Sequence, residues 1–156
     1  MSTAYQTALF ISKVGASSGH GISRMSTHLH AISGAINTWA QGDTIAVGFV
    51  PRGAVVTNVI MKAASQLDSG GAPTLALDLG VVGTPQLFKA AVTTVGRAAG
   101  ASVDTTNTAA GYLFQNNTGG DLEVLATVHT AAETPVSGTL EFDVEYYVED
   151  TAGSNP

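Results

Sequence analysis

The most regular pattern in the chain lies near its C-terminal end. Leu140, Phe142, Val144, Tyr146 and Val148 alternate with Glu141, Asp143 and Glu145. Period-two spacing of this kind predicts a strand with one face buried and the opposite, acidic face in water. The same alternation recurs at Leu75, Leu77, Leu79 and Val81, set against Ala76, Asp78 and Gly80, and again at Leu122, Val124, Ala126 and Val128. Two further apolar runs, residues 44–50 and 54–64, flank Pro51-Arg52-Gly53. Pro51 presets φ and Gly53 tolerates φ > 0, so this tripeptide reads as a tight connection between two strands.

Weaker segments fill the intervals. Residues 27–35 alternate loosely and read as a strand, and Gln41-Gly42-Asp43 reads as a turn. Residues 111–115 read as a short strand that ends in the turn Asn116–Gly120. Leu87, Phe88, Ala91 and Val92 have spacings that fit one or two helical turns, and residues 95–110 read as a long Ala/Gly/Thr-rich loop. Roughly seven or eight strands at turn-punctuated intervals predict an all-β fold, an antiparallel β-sandwich of jelly-roll type. Residues 1–25, rich in Ser, Thr, Gly and Ala, are expected to form an extended N-terminal arm, which reads first as a partly ordered terminus and alternatively as an arm that drapes over a neighbouring subunit. Residues 26–150 are the expected sandwich domain and residues 151–156 a flexible tail.

Composition narrows the class. Charged residues make up 12% of the 156-residue chain, about half of the usual ~25%, while 44% are hydrophobic. That balance suits a β-protein with small outward side chains, or one that hides surface in an assembly. With no cysteine there is no disulfide framework, thiolate metal site or thiol nucleophile. Ala8-Leu9-Phe10-Ile11 is too short for a signal or an anchor, and no window approaches the ~18 apolar residues of a membrane span. All six basic residues lie in residues 1–97 beside three acids, whereas residues 98–156 carry nine acids and no Lys or Arg. No basic stripe exists to displace counterions from a nucleic acid, so neither nucleic acid nor membrane is an expected partner.

No motif for catalysis, phosphate binding or a cofactor emerges, so catalytic, cofactor and metal residues are all expected to be none. His28 and His30 share a strand face, but further metal ligands would have to come from His20, His129 or distant carboxylates. Glu141, Asp143 and Glu145 follow from strand alternation and read as a solvated face. Asn116-Asn117-Thr118 matches a glycosylation triplet but reads as a turn. Trp39 and Tyr112 offer aromatic faces on which a sugar could stack.

One resemblance goes further than these elements. It is carried by Asp43–Val47, Val50-Pro51-Arg52-Gly53-Ala54-Val55-Val56, Val59–Lys62, Gly70–Gly80 and Gln86–Phe88. Residues 121–128 and 139–147 add to it. Together these stretches resemble small β-sandwich structural proteins of tailed bacteriophages, a group that includes capsid decoration (cement) and head-fibre-like proteins. The resemblance spans about two-thirds of the chain and leaves out residues 1–35. It implies a non-enzymatic, homotrimeric protein on the outer surface of a capsid. There it would bind the major capsid protein and stabilise contacts between capsomers after assembly in the host cytoplasm. A tail- or fibre-associated virion protein and a carbohydrate-binding β-sandwich are the alternative expectations.

Overall fold

The structure, a computed structural model, describes residues 4–5, 23–30 and 39–148. Among them are ten strands and no helix. These are β1 (Ala4–Tyr5), β2 (Ser23–His30), β3 (Thr44–Val50), β4 (Ala54–Ala63), β5 (Ala76–Val81), β6 (Thr84–Val92), β7 (Ser102–Asp104), β8 (Phe114–Gln115), β9 (Leu122–Thr130) and β10 (Thr139–Val148). Most of the expected arm and the whole expected tail lie outside the described residues.

Pairing nests the chain upon itself. β5 and β6 form the innermost hairpin, β4 pairs with β7 and β8 around it, β3 pairs with β9, and β2 with β10. The nested ribbon then rolls up, so that β10 also pairs with β4 and β9 with β5. Two facing sheets result, ordered β1-β3-β9-β5-β6 and β2-β10-β4-β7, with β8 also on β4. This is the jelly roll that the strand pattern led us to expect. Every pairing is antiparallel except that of β1, which adds to the edge of β3 in parallel.

The alternating positions meet between the sheets. Ile45, Val47 and Val50 of β3, Leu77 and Leu79 of β5, and Val124, Ala126 and Val128 of β9 face Val56, Val59 and Met61 of β4 and Leu140, Phe142 and Val144 of β10. The expected one-sided burial of β5 is incomplete, because all six of its residues are buried. Its outward positions are small or polar, and β6 lies over them: a Cβ on Gly80 would collide with the backbone of Thr84 and Pro85.

The helical reading of residues 85–92 is wrong, since they belong to β6. Its register on β5 explains the misleading spacing. Leu77 is paired with Val92, Leu79 with Lys89 and Val81 with Thr84, so each two-residue step on β5 is matched by three and then five residues on β6. Extra residues of this kind are β-bulges, and they break the period of two. Leu87, Phe88 and Lys89 are consequently buried in succession and Val92 is buried after two exposed residues, which mimics a helical face. The irregularity forces Ala91 to φ = 48°, a left-handed conformation. There a Cβ costs about 1–2 kcal/mol, against the ~0.5–1 kcal/mol that glycine's extra freedom costs. Ala91→Gly is therefore expected to stabilise the protein by about 1 kcal/mol in chemical denaturation.

Two more expectations change. The long loop at 95–110 contains β7, three residues with a single larger apolar side chain, Val103, too short a run for alternation to register. The strand expected over 111–115 shrinks to β8, because Gly111 packs against the backbone of Leu87 and Phe88 and Leu113 takes φ = 56°.

Register also defines the two ends of the sandwich. Val50 is opposite Leu122, Val81 opposite Val124, Val55 opposite Gln115 and Val148 opposite Ala54. The connections at 51–53, 82–83 and 116–121 therefore share one end, here the Pro51 end, while residues 105–113 run along the side of the sandwich, with Asn107 bonded to Asn58 and Val59 of β4. Ala76 is opposite Thr130, Leu140 opposite Ala63 and Ala63 opposite Ser102, which places the connections at 64–75, 93–101 and 131–138 at the other, the Asp68 end.

Candidate functional site

The polar groups inside this fold are spent on holding it together. At the Asp68 end, the buried Asp68 carboxylate accepts five backbone N–H groups. Oδ1 takes those of Gly70 at 3.2 Å and Thr134 at 2.9 Å, and Oδ2 takes Thr74 at 2.7 Å, Leu75 at 3.0 Å and Glu133 at 3.0 Å. Burial alone raises the pKa of this carboxyl. The donors on Thr134, Leu75, Glu133 and Thr74 overcome that and hold it far below the usual carboxylate range. Arg97 ties in the third connection, with Nε donating to the Leu75 carbonyl at 2.5 Å and Nη2 to that of Thr74 at 2.7 Å. Gln66 Nε2 donates to the carbonyls of Asp68 and Arg97, both at 2.9 Å.

Along one side of the sandwich, Lys89 of β6 is fully buried and reaches across to the other sheet. Its Nζ donates to Asp104 Oδ1 at 2.8 Å and to the Thr106 carbonyl at 2.8 Å. Burial pushes the lysine pKa down, and the Asp104 carboxylate opposes the shift. Asp104 itself, raised by burial, is brought below its usual range by Lys89 and by the Thr94 hydroxyl. A depression of about 260 Å³ opens beside this pair, lined in part by Ala91, Thr94, Asn107 and Thr108. Its carboxylate, Asp104, is committed to Lys89 through Oδ1 and accepts the Thr94 hydroxyl on Oδ2 at 2.9 Å.

The acidic stripe of β10 is less solvated than its sequence suggests. Asp143 is buried, and Lys62 of β4 donates to Asp143 Oδ2 at 2.5 Å and to Glu141 Oε1 at 3.0 Å. These hydrogen bonds, that to Asp143 foremost, raise the Lys62 pKa. Glu145 accepts from Asn58 Nδ2 at 3.3 Å. Residues 79 to 87 positions away in the chain supply these partners, which is why alternation within β10 could not disclose them.

The histidines are not gathered. Backbone register sets His28 opposite Glu141 and His30 opposite Thr139 in one sheet. His129 lies in the other, with Nδ1 3.0 Å from the buried Asp78, whose carboxylate also accepts from Gln86 and from the Ala91 N–H. His20 lies outside the described residues. Among the described residues no three His, Asp or Glu side chains are grouped to hold a metal ion. Trp39 is half-buried against the core at the Asp68 end, whereas Tyr112 is exposed in the turn beside Leu87 and Phe88 of β6, so the two aromatic faces form no shared sugar platform. Asn116 is fully buried: Nδ2 donates to the carbonyls of Val50 and Gly120, and Oδ1 accepts from the backbone N–H and hydroxyl of Thr118. The glycosylation triplet is thus a structural turn.

Pro51-Arg52-Gly53 does make the tight connection. Ala54 N–H donates to the Pro51 carbonyl at 3.1 Å and Gly53 has φ = 77°. Arg52 N–H donates to Asp121 Oδ1 at 3.3 Å, and no described residue engages its guanidinium. What the molecule offers to other molecules is therefore surface: two sheet faces, their edges and two loop ends of different character.

No protein-family model and no curated protein matches the sequence. Solved structures do match. A chain of the capsid of Ralstonia phage GP4 is similar with a TM-score of 0.74 and 22% identity, over 94% of this chain and 98% of that one. A chain of the cyanophage Pam1 capsid asymmetric unit is similar with a TM-score of 0.69 and 25% identity, over 86% of this chain and 89% of that one. The chain thus has the all-β fold of proteins found in phage capsids, in keeping with its sequence resemblance to the small β-sandwich structural proteins of tailed bacteriophages.

Proposed function

We propose that this protein is a non-enzymatic structural component of a phage virion. Within the virion it acts as a decoration (cement) protein on the outer surface of the head. It binds the major capsid protein as a homotrimer and stabilises contacts between capsomers, on heads assembled in the host cytoplasm. The observation that carries this reading is the length of the match. The capsid chain of phage GP4 is covered over 98% and this chain over 94%, so the likeness extends along nearly the whole of both chains. The polar interior agrees, because Asp68, Lys89 and Asp104 are consumed by internal bonds and leave the outer surfaces as the working parts.

Cosedimentation with capsids that lack the protein tests the proposal. The expected result is saturable binding to the heads, together with a higher temperature of capsid disruption. Failure to bind heads overturns it, and binding to isolated tails instead would transfer the role to the tail or fibre.

A further inference from the structure

Two edge strands from opposite sheets, β6 and β7, come together along one side of the sandwich. Thr108 fastens the chain after β7 to β6, its N–H donating to the Phe88 carbonyl at 2.9 Å and its hydroxyl to that of Leu87. The depression of about 260 Å³ lies beside this fastening, between residues 90–94 and 104–108. Its volume is below the ~300–1,000 Å³ of pockets that take drug-sized ligands, so it suits a single small ring.

Backbone strain is kept in its wall. Ala91 lines the depression and is held at φ = 48°, with its N–H donating to Asp78 Oδ1 at 2.6 Å. Glycine would occupy this conformation at lower cost, yet the position carries a methyl group, and the residue is exposed in the lining. Strain that the surrounding structure imposes in this way clusters at ligand-contact positions.

The hydrogen-bonding groups beside Ala91 are mixed in kind and held in place. Thr94 spends its hydroxyl hydrogen on Asp104 Oδ2 at 2.9 Å, so its oxygen offers only lone pairs. Asn107 accepts the Val59 N–H on Oδ1 and donates one amide hydrogen to Asn58 at 2.9 Å, which leaves the second as a fixed donor. The exposed hydroxyls of Thr93 and Thr106 have no partner among the described residues and are able to donate or accept. The one carboxylate in the lining, Asp104, is matched by the fully buried Lys89 at 2.8 Å, so the wall carries no net charge. An anionic ligand would meet Asp104 with Lys89 sealed behind it, and a cationic one would compete with the bond Asp104 already makes. A neutral molecule with several hydroxyls satisfies donors and acceptors alike, and its C–H surface would rest on the Ala91 methyl. We infer that this depression binds a neutral saccharide ring, with Thr94 and Asn107 fixing its hydroxyls and Thr93 and Thr106 completing the set.

Titration of the isotopically labelled full chain with glucose, galactose, mannose or N-acetylglucosamine, followed by backbone amide NMR, tests this. No capsid is needed, so the result is independent of the decoration role. At least one of these sugars is expected to shift amides of residues 90–94 and 104–108 saturably. Thr93→Val with Thr106→Val keeps the side-chain shapes and should weaken that binding about tenfold, as loss of two ordinary hydrogen bonds does. Ala91→Gly should weaken it while raising the stability of the fold, a combination that a merely structural role of the methyl would not produce. The amide spectrum and the unfolding transition verify that each variant is folded. Absence of a saturable shift with all of these sugars overturns the inference, as do shifts that map outside the depression or an affinity that the double threonine variant leaves unchanged. Tighter binding of glucuronate or glucosamine than of glucose would also overturn it, because the site would then select charge.

Discussion

Asp68→Asn is expected to lower the unfolding free energy by about 3–5 kcal/mol, measured by urea or thermal denaturation. That is the range for breaking a buried charged network by removing one partner. The substitution is nearly isosteric, so the effect comes from hydrogen-bond polarity. Five N–H donors converge on two carboxylate oxygens, with two on Oδ1 and three on Oδ2. An asparagine presents one oxygen and one NH2 group, so at least two backbone donors would face another donor inside a buried site. The loss falls on the link between the 64–75 and 131–138 connections, which also contains the Ser69 N–H to Thr134 carbonyl bond and the Val136 N–H to Leu67 carbonyl bond, both 2.9 Å. Fraying should therefore begin at that end, visible as faster hydrogen exchange of Thr74, Leu75, Glu133 and Thr134.

The same carboxylate confers a pH dependence of definite sign. Its folded pKa lies below the unfolded value of about 3.9, so the native state binds fewer protons than the unfolded state. The stabilisation is complete above the unfolded pKa and is lost as pH falls below it toward the folded value, with a slope approaching about 1.4 kcal/mol per pH unit. Asp104 is shifted in the same direction and adds to the acid loss. In Asp68→Asn the acid slope should be shallower than in the wild type, although the variant is less stable at neutral pH.

What was legible in the sequence depended on how local its cause was. Alternation in β5, β9 and β10 and the Pro51-Arg52-Gly53 turn are set by neighbouring residues, and these elements were readable directly. Their count and spacing led to the jelly roll. The bulges of β6 were not readable, because bulged register is a property of a strand pair and leaves in one strand only a false helical spacing. The polar interior was hidden for a related reason. Asp68 sits in a Ser/Gly/Pro-rich stretch that announces a loop, yet two of its five donors come from residues 65 and 66 positions away. Asp143 looked solvated because its cation, Lys62, is on a strand 81 residues earlier. Tyr112 and Trp39 could be named as aromatic candidates, but placing them apart needed the strand order.

The two ends differ in a way that bears on assembly. At the Asp68 end, backbone donors and carbonyls are satisfied internally by Asp68, Arg97 and Gln66, which makes that end rigid. The Pro51 end carries the Arg52 guanidinium and the exposed Val82 of the β5–β6 hairpin.

Lys89→Met is expected to cost about 3 kcal/mol, and a second substitution should recover much of the loss. Lys89 is buried between Phe88 and Ala90 on β6 and bridges to Asp104 at the end of β7, so the pair spans the two sheets along their shared side. Met fills similar volume and supplies no cation. Asp104 would then keep only the Thr94 hydroxyl at 2.9 Å and the Thr106 N–H at 3.1 Å, and the Thr106 carbonyl would lose its donor. Breaking a buried pair from one side costs about 3–5 kcal/mol, at the lower end here because Asp104 is 13% exposed. Asp104→Asn in the Lys89→Met background removes the orphaned charge and keeps an acceptor for Thr106 N–H. The double variant should therefore be more stable than the sum of the two single losses by about 2 kcal/mol, well outside the ~0.5 kcal/mol within which independent sites add. Strict additivity in the denaturation midpoints would mean that Lys89 acts only as buried hydrocarbon, and the cross-sheet ion pair would then have no part in the stability of the sandwich.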